Sequence, residues 1–401
     1  MSNYRSKYEI GDIIRQHEQV VIKAGQLNAH KKKVFTNLAN CRTAVLGYHQ
    51  DKCDNPDCGH EYYSYNSCRD RHCPKCNGLK KEKWLIDREA DLLPIKYFHV
   101  VFTVPEQLNH LFIAHPEHMY KILFRAAWDT IKQFAADHNY LGAQTGMIAL
   151  LHTWGQNLAL HPHLHCIVPG GGLTPQGKWK HTKSKGKYLY PVKALSSVFR
   201  GKFCDYLIDL HAKGELELDT AFDPTRKYLH PFYKNNWVVY AKRPMYNSKQ
   251  VLEYVARYSH RVAISNHRIK EVDNENINFS WINYKNSKVG VMSLSFYEFL
   301  RRFAMHILPS GFMKIRHYGF FSSCKKSSSL AIIRKALNTM APESKKGIPW
   351  QELFLLLFGR PHDQCPKCKC GTMQRIASFK PLIRGSPAPR TPSNLTIPNS
   401  I

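Results

Sequence analysis

The cysteines constrain the fold of this chain more than any other feature of its sequence. Two close pairs, Cys53-x4-Cys58 and Cys73-x2-Cys76, are separated by 14 residues. A zinc ion prefers four thiolate or imidazole ligands at the corners of a tetrahedron, and two such pairs on separate turns can supply them. We therefore predict that Cys53, Cys58, Cys73 and Cys76 bind one Zn²⁺ in a closed, structural site.

The other eight of the twelve cysteines are harder to interpret. Cys68 and His72 lie between the two pairs, where they are alternative ligands or outer-shell neighbours of the zinc. The C-terminal Cys365-x2-Cys368-x-Cys370 forms a single turn, so the sequence leaves open whether it binds metal. The remaining cysteines are isolated, and we expect them to be buried as small apolar side chains: Cys41, Cys166, Cys204 and Cys324.

The composition indicates a folded protein with a polyanionic partner. Lys and Arg number 58 against 30 Asp and Glu, which gives a formal net charge of +28 and makes nucleic acid the leading partner. A hydrophobic fraction of 43% excludes global disorder. The sequence has no transmembrane run and no secretory signal, so we expect a cytoplasmic protein whose clustered cysteines bind metal.

Strand and helix signals alternate between residues 97 and 265, after an N-terminal part in which helical segments flank the cysteine pairs. This alternation predicts a mixed α/β or α+β core. We predict strands at 97–104, 147–154, 163–168 and 237–240, and helices at 6–40, 77–93, 106–139, 192–213 and 248–258.

Changes in composition predict four parts of the chain. They are a zinc-binding and DNA-binding module at 1–93, a larger domain at 94–325, a helical extension at 326–363 and a C-terminal part at 364–401. The C-terminal part combines its cysteines with a basic segment that has no Asp or Glu. We expect that segment to be disordered.

Residues 161–165 (HPHLH) are the most informative about chemistry. Side chains alternate along a strand, so His163 and His165 share one face. Two imidazoles on one face can bind a divalent cation and leave coordination positions open for phosphate oxygens. Because Pro162 cannot donate to a strand ladder, the strand is expected to begin after it. Candidates for a third ligand are His161, Gln156 and Asn157.

A second informative segment, residues 253–261 (EYVARYSHR), carries Tyr254 and Tyr258 at helical spacing. A free tyrosine is a poor nucleophile, so covalent use requires an activated electrophile. A packed aromatic stripe is the alternative role for such a pair. Candidates for phosphate contacts on the same segment are Arg257, His260 and Arg261.

Together these segments resemble the HUH superfamily of single-strand endonucleases, and specifically the IS91-type transposases. The resemblance spans roughly residues 20–325 and rests on NSCRDRHCPKC, HPHLHCIVPGGG, YVARYSHRVAIS and LPSGFMKIRHYGFF. It implies an α+β fold in which an HUH endonuclease-type core, an antiparallel sheet flanked by helices, follows a small helical zinc-binding module.

The resemblance also implies a mechanism. His163 and His165 would bind a catalytic Mg²⁺ or Mn²⁺, and Tyr254 or Tyr258 would attack the scissile phosphate, leaving a 5′-phosphotyrosine and a free 3′-OH. Two tyrosines would permit two successive strand transfers, as in rolling-circle members. The implied partners are single-stranded transposon ends and target DNA, with no membrane, in a protein associated with the bacterial nucleoid.

Three other functions fit parts of the sequence. A plasmid relaxase or a rolling-circle replication initiator would use the same histidines and tyrosines. A non-enzymatic zinc-dependent DNA-binding protein would use the histidines as a second structural site. A metallohydrolase acting on a small substrate leaves the charge of +28 unexplained.

Overall fold

The structure is a computed structural model that describes residues 6–183, 188–216, 226–234, 236–242, 244–245, 251, 262–282, 288–342 and 347–382. Its helices are α1 (Ile10–His17), α2 (Gln19–Lys23), α3 (Ala29–Ala39), α4 (Gly78–Glu89), α5 (Asn109–Ala114), α6 (Pro116–Ala136), α7 (Val192–Ala212), α8 (Arg226–Lys234), α9 (Phe296–Met305), α10 (Lys326–Ala336) and α11 (Trp350–Phe358). Its strands are β1 (Tyr48–Cys53), β2 (Glu61–Tyr65), β3 (Tyr97–Thr103), β4 (Gly146–Trp154), β5 (Leu160–Pro169), β6 (Gly171–Leu173), β7 (Trp179–His181), β8 (Val239–Ala241), β9 (Ile269–Val272), β10 (Asn276–Ile282), β11 (Val289–Ser295), β12 (Ile315–Gly319) and β13 (Met373–Phe379).

A five-stranded antiparallel sheet is the centre of the molecule. Its strands lie in the order β12-β4-β5-β3-β8, so that β5 has a partner on both sides. The sheet is flanked by helices and follows a cysteine-rich N-terminal part. The predicted α+β class, an antiparallel sheet flanked by helices behind a zinc-binding module, is confirmed.

The two faces of this sheet pack against different elements. On one face, Leu164 and Cys166 of β5 belong to a large apolar cluster with the long helices α6 and α7. On the other face, Ile167 belongs to a smaller cluster with Phe320, Leu330 and Ile333. Because side chains alternate along β5, His163 and His165 lie on the same face as Ile167, away from α6 and α7.

The N-terminal helices share their core with a later part of the chain. Phe35 and Cys41 pack in one buried cluster with Phe279, Phe299 and Phe303. A second sheet, β11-β10-β9, supplies part of this cluster. The apolar core therefore crosses the domain boundary predicted at residue 93.

Several predicted segments differ from the structure. The helix expected over 6–40 is divided into α1, α2 and α3. The helix expected over 106–139 is divided, because Pro116 lacks the amide hydrogen that a continuous helix needs and instead begins α6. Residues 373–379, expected to be disordered, form β13 and pair with β1. Local pattern does not predict this strand, because its partner lies more than 300 residues earlier in the chain. Among the described residues, no helix is both long and apolar enough to cross a membrane.

Candidate metal centres and active site

The structure does not bring Cys53, Cys58, Cys73 and Cys76 together in one site. Cys73 and Cys76 lie with Cys41 and Cys68, which we call the first cysteine group. The second cysteine group consists of Cys53, Cys58, Cys365 and Cys368. The predicted ligand set is therefore wrong in its grouping, because the chain folds back so that each predicted pair meets a pair from elsewhere.

Sulfur–sulfur distances in the first cysteine group fit a tetrahedral zinc site. The Sγ atom of Cys41 lies 3.4 Å from that of Cys76 and 3.5 Å from that of Cys73, and the Sγ atoms of Cys68 and Cys76 are 3.7 Å apart. Four sulfurs at about 2.3 Å from one zinc ion would be separated by about 3.8 Å. Cys41, expected to be an isolated apolar residue, is thus part of a donor set that suits zinc. Of the other three cysteines expected to be buried, Cys166 and Cys204 are buried, but the prediction is wrong for Cys324, which is exposed.

His72 and two basic residues near the cysteines have structural partners. The Nδ1 atom of His72 lies 3.0 Å from Asp70, and its Nε2 atom lies 3.2 Å from the amide nitrogen of Leu308. Arg71 donates to the carbonyl of Pro309, and Lys75 forms an ion pair with Glu9. These contacts attach the cysteine-rich loop to its surroundings, and His72 is not a member of either cysteine group.

The histidine strand begins earlier than predicted. β5 starts at Leu160 and runs through Pro162. A register shift in β4 between His152 and Trp154 lies opposite this point, and the pairing with β3 ends at His163. Pro162 is tolerated because the ladder is irregular on one side and has ended on the other.

Three histidines converge on the sheet face that lies away from α6 and α7. His163 and His165 come together as predicted, and His152 of β4 lies directly opposite His163. One ring nitrogen from each of His152, His163 and His165 lies within 4.8 Å of the others. We call these three the histidine group. His152 was missed because its proximity depends on the register between β4 and β5, although its apolar strand setting resembles that of His165.

Hydrogen bonds orient two of these rings toward a common point. The Nδ1 atom of His163 lies 2.7 Å from the carbonyl oxygen of His161, which can only accept, so Nδ1 carries the proton. The Nδ1 atom of His165 lies 2.9 Å from Nε2 of His99. If the proton between these two atoms is on Nδ1 of His165, both His163 and His165 present an Nε2 lone pair. The two Nε2 atoms are 3.2 Å apart. This is the outer-shell arrangement typical of metal-binding histidines.

Burial favours the neutral form of two of the histidines at this site. It lowers the pKa of His163 to about 4 and the pKa of His99 to about 3. A neutral imidazole is the form that binds a metal ion. The donor set, three nitrogens with no sulfur, suits a catalytic divalent cation that keeps open coordination positions.

The other candidates for a third ligand have different positions. The ring of His161 is exposed and 5.1 Å from the ring of His163 by centroid distance, and its carbonyl serves His163. The side chain of Asn157 accepts a hydrogen bond from the amide of Ala159, and the carbonyl of Gln156 accepts one from Arg268. His161 does not belong to the histidine group.

The tyrosine segment lies outside the described residues. This applies to both candidate nucleophiles and to the candidate phosphate contacts: Tyr254, Tyr258, Arg257, His260 and Arg261. The described residues next to this segment are informative. Val251 is buried in the apolar cluster on the histidine face of the sheet, together with Leu150 and Ile167.

A cavity of about 350 Å³ reaches the histidine group only through Trp154, since none of the three histidines lines it. Its lining includes Trp154, whose ring stacks on that of His152 at a centroid distance of 4.6 Å, and Val262. The Nζ atom of Lys314, another lining residue, lies 5.2 Å from the ring centroid of Trp154. Burial lowers the pKa of Lys314 to about 7. The cavity thus combines aromatic surface with an amine whose charged form is disfavoured by burial.

Comparison with known proteins shows the family to which this chain belongs. A family model described as a transposase zinc-binding domain, of the IS91 type, matches residues 13–104, and one described as "Putative transposase" matches residues 146–328. A protein named "Putative transposase y4qJ" from Sinorhizobium fredii (strain NBRC 101917 / NGR234) is 41% identical over 387 residues, which are 94% of this chain and 96% of that protein. This chain belongs to the IS91 family of transposases.

A more distant member of the family is similar over a shorter range. The "Transposase for insertion sequence element IS801" from Pseudomonas savastanoi pv. phaseolicola is 26% identical over 328 residues, 80% of this chain and 78% of that protein. No solved structure matches this chain. Membership in a transposase family makes DNA the partner of this transposase and DNA cleavage and transfer its general activity, which decides among the functions that the sequence left open.

The zinc-binding part of the prediction is also confirmed at the level of the domain. The matched zinc-binding domain contains the whole first cysteine group and half of the second. The donor chemistry of these sulfurs supports structural Zn²⁺.

Proposed function

We propose that this transposase nicks and rejoins single-stranded DNA at transposon ends through a 5′-phosphotyrosine intermediate, in rolling-circle-type transposition. The observation that carries the proposal is the histidine group, in which His163 and His165 present Nε2 atoms 3.2 Å apart. Such a group can hold Mg²⁺ or Mn²⁺, with His152 as the third ligand. A divalent cation bound there supplies Lewis-acid stabilisation of charge on a scissile phosphate.

The chemical step requires a nucleophile and a leaving group. In the proposal, the hydroxyl oxygen of Tyr254 or Tyr258 forms a bond to phosphorus as its proton is lost. The bond from phosphorus to the 3′ oxygen breaks, and that oxygen takes up a proton to give a free 3′-OH. The phosphotyrosine keeps the energy of the phosphodiester, so attack by another 3′-OH can reverse the step without ATP.

Two described residues support the assignment of the tyrosine segment to this site. Val251 packs on the sheet face that carries the histidine group, and Val262 lines a cavity together with Trp154, whose ring stacks on that of His152. Tyr258 precedes Val262 by four residues, which an extended chain spans in at most about 14 Å. The same segment carries Arg257, His260 and Arg261, whose proposed role is to bind DNA phosphates.

A covalent-adduct assay tests the proposal. Labelled single-stranded oligonucleotides from both ends of the element are incubated with the transposase and Mn²⁺ or Mg²⁺, and the products are separated on a denaturing gel. We expect a protein–DNA band that requires the added cation and is absent with duplex DNA. A wild-type protein that cleaves without ever forming this band would exclude the tyrosine mechanism.

Tyrosine variants then identify the nucleophile. We expect the Tyr254→Phe/Tyr258→Phe double variant to lose the adduct, and the two single variants to show which hydroxyl is needed for the first transfer. Tyr240→Phe is the matched control, because Tyr240 lies on β8 with an exposed side chain. An adduct that persists in the double variant would contradict the assignment.

A further inference from the structure

The second cysteine group joins two parts of the chain that are distant in sequence. The Sγ atom of Cys53 lies 3.7 Å from that of Cys368, and Cys58 lies 3.9 Å from Cys365 across a separation of 307 residues. The zinc-binding domain match ends at residue 104 and so contains only half of this group. We propose that the second cysteine group binds its own structural Zn²⁺, which fastens the C-terminal segment 362–379 onto the N-terminal module.

The C-terminal half of the group has the backbone of a metal-binding turn. The amide of Cys365 donates to the carbonyl of Gly371 at 2.8 Å, and the amide of Gly371 donates to the sulfur of Cys368 at 3.3 Å. Lys369, between them, has a positive φ of 61°. Amide donors to sulfur stabilise the thiolate form, which is the form that binds zinc.

The two halves of the group fit each other closely. A Cβ atom at Gly371 would lie 2.5 Å from the Sγ atom of Cys53, so only glycine allows this approach. Asp54 accepts from the amide of Thr372 at 2.7 Å, and its own amide donates to the Thr372 carbonyl at 3.1 Å. The turn that follows Cys370 is therefore shaped to lie against the N-terminal sulfur.

The sulfur spacing favours a metal ion over disulfides. A disulfide requires sulfur atoms about 2.05 Å apart. The distances of 3.7 and 3.9 Å instead match the edges of a ZnS₄ tetrahedron, about 3.8 Å. All four sulfurs lie within 4.8 Å of one another, as one ion requires.

Zinc at this position would hold β13 in the sheet. β13 pairs with β1 from Met373–Cys53 to Phe379–Tyr48, but all seven of its residues are at least partly exposed. Such a strand buries little apolar surface of its own. The ion would close the long loop and keep β13 at the edge of β1.

Zinc content gives the first test, measured by inductively coupled plasma mass spectrometry on the full chain after removal of loosely bound metal. We expect two zinc ions per wild-type chain and one in the Cys365→Ser/Cys368→Ser variant. Cys370→Ser is the matched control: Cys370 is exposed and outside the group, so this variant should keep two. One zinc in the wild type, or two in the double variant, would overturn the proposal.

Native alkylation of the wild-type chain provides a test that needs no variant to fold. With zinc bound, we expect iodoacetamide to modify Cys370 and Cys324 but to spare the second cysteine group. Stepwise chelation should expose Cys53, Cys58, Cys365 and Cys368 together, and tryptic cleavage at Lys367 should begin at the same step. Alkylation of Cys365 and Cys368 while Cys53 and Cys58 stay protected would overturn the proposal. Neither test involves DNA, so its result is independent of the nicking mechanism.

Discussion

The cysteine groups and the histidine group differ in the number and the chemistry of their metal-binding atoms. Each cysteine group has four sulfur donors, which complete a tetrahedron and leave no position for a substrate. The histidine group has only three nitrogen donors, which leaves coordination positions open on a bound ion. In the proposal, the number and chemistry of the donors distinguish the structural sites from the catalytic one.

The supports of the two kinds of group differ as well. Cys58 and Cys368 lie on turns, and the sulfur of Cys368 accepts a backbone amide. The histidines lie on β4 and β5, and the second ring nitrogens of His163 and His165 contact the His161 carbonyl and His99. A rigid strand platform fixes the direction of each lone pair, which a catalytic centre needs more than a structural one.

The largest effect should come from removing the paired histidines. In His163→Ala/His165→Ala, we expect adduct formation to fall at least about a thousandfold, because Lewis-acid stabilisation is worth several kcal/mol. Zinc content should not change, since no sulfur donor is lost. The assay is the initial rate of adduct formation with Mn²⁺, with His267→Ala as the exposed control. A rate near that of the wild type would mean that adduct formation does not depend on a metal ion held by His163 and His165, and the histidine group would then not differ in role from the cysteine groups.

His152→Ala tests whether the third nitrogen is a ligand. We expect the Mn²⁺ concentration for half-maximal adduct formation to rise by about a hundredfold or more, beyond the range typical of outer-shell partners. The rate at saturating Mn²⁺ should recover in part because His163 and His165 remain. An unchanged Mn²⁺ requirement would mean that two histidines suffice and that His152 only packs against Trp154.

A smaller effect is expected from His99, which touches no metal in the proposal. His99→Leu removes the partner of the His165 Nδ1 atom, so the Mn²⁺ requirement should rise by about 10–100-fold. His99→Gln keeps an acceptor and should restore part of the loss. Equal behaviour of the two variants would show that His99 acts through packing alone.

The smallest effect concerns pH and His306, which is buried between the Thr153 hydroxyl and the Leu158 carbonyl. Burial lowers its pKa to about 4, below the 6.5 of the unfolded chain. The unfolded chain therefore binds the proton first, and the free energy of unfolding should fall as pH drops from 6.5 toward 4, by up to about 3 kcal/mol. Urea unfolding at pH 7 and pH 5 measures this.

His306→Gln provides the control for the pH prediction. This variant cannot titrate, so its stability should fall less between pH 7 and pH 5 than that of the wild type. An equal fall in both proteins would place the pH dependence elsewhere, for example in the cysteine groups, whose thiolates also bind protons.

Local pattern predicted those parts of the fold and site that depend on neighbours in sequence. The strand 97–104 and the shared face of His163 and His165 follow from residue types and from the alternation of a strand. The break at Pro116 is equally local, and its consequence could have been foreseen.

Parts that depend on distant contacts could not be predicted in this way. The partners of Cys53 and Cys58 are set by the pairing of β13 with β1, and His152 joins His163 through the register of two strands. Nothing in the sequence near these residues encodes that proximity. Two close cysteine pairs looked like one site because the sequence shows spacing along the chain and not the folding back that divides them.

The central question for this transposase is whether the histidine group binds a different metal from the cysteine groups. Electron paramagnetic resonance of added Mn²⁺, with zinc counted in the same samples, measures this. We predict one bound Mn²⁺ per wild-type chain, none in His163→Ala/His165→Ala, and the same zinc content in both. Mn²⁺ that still binds to the variant, or zinc that leaves with the two histidines, would contradict this prediction.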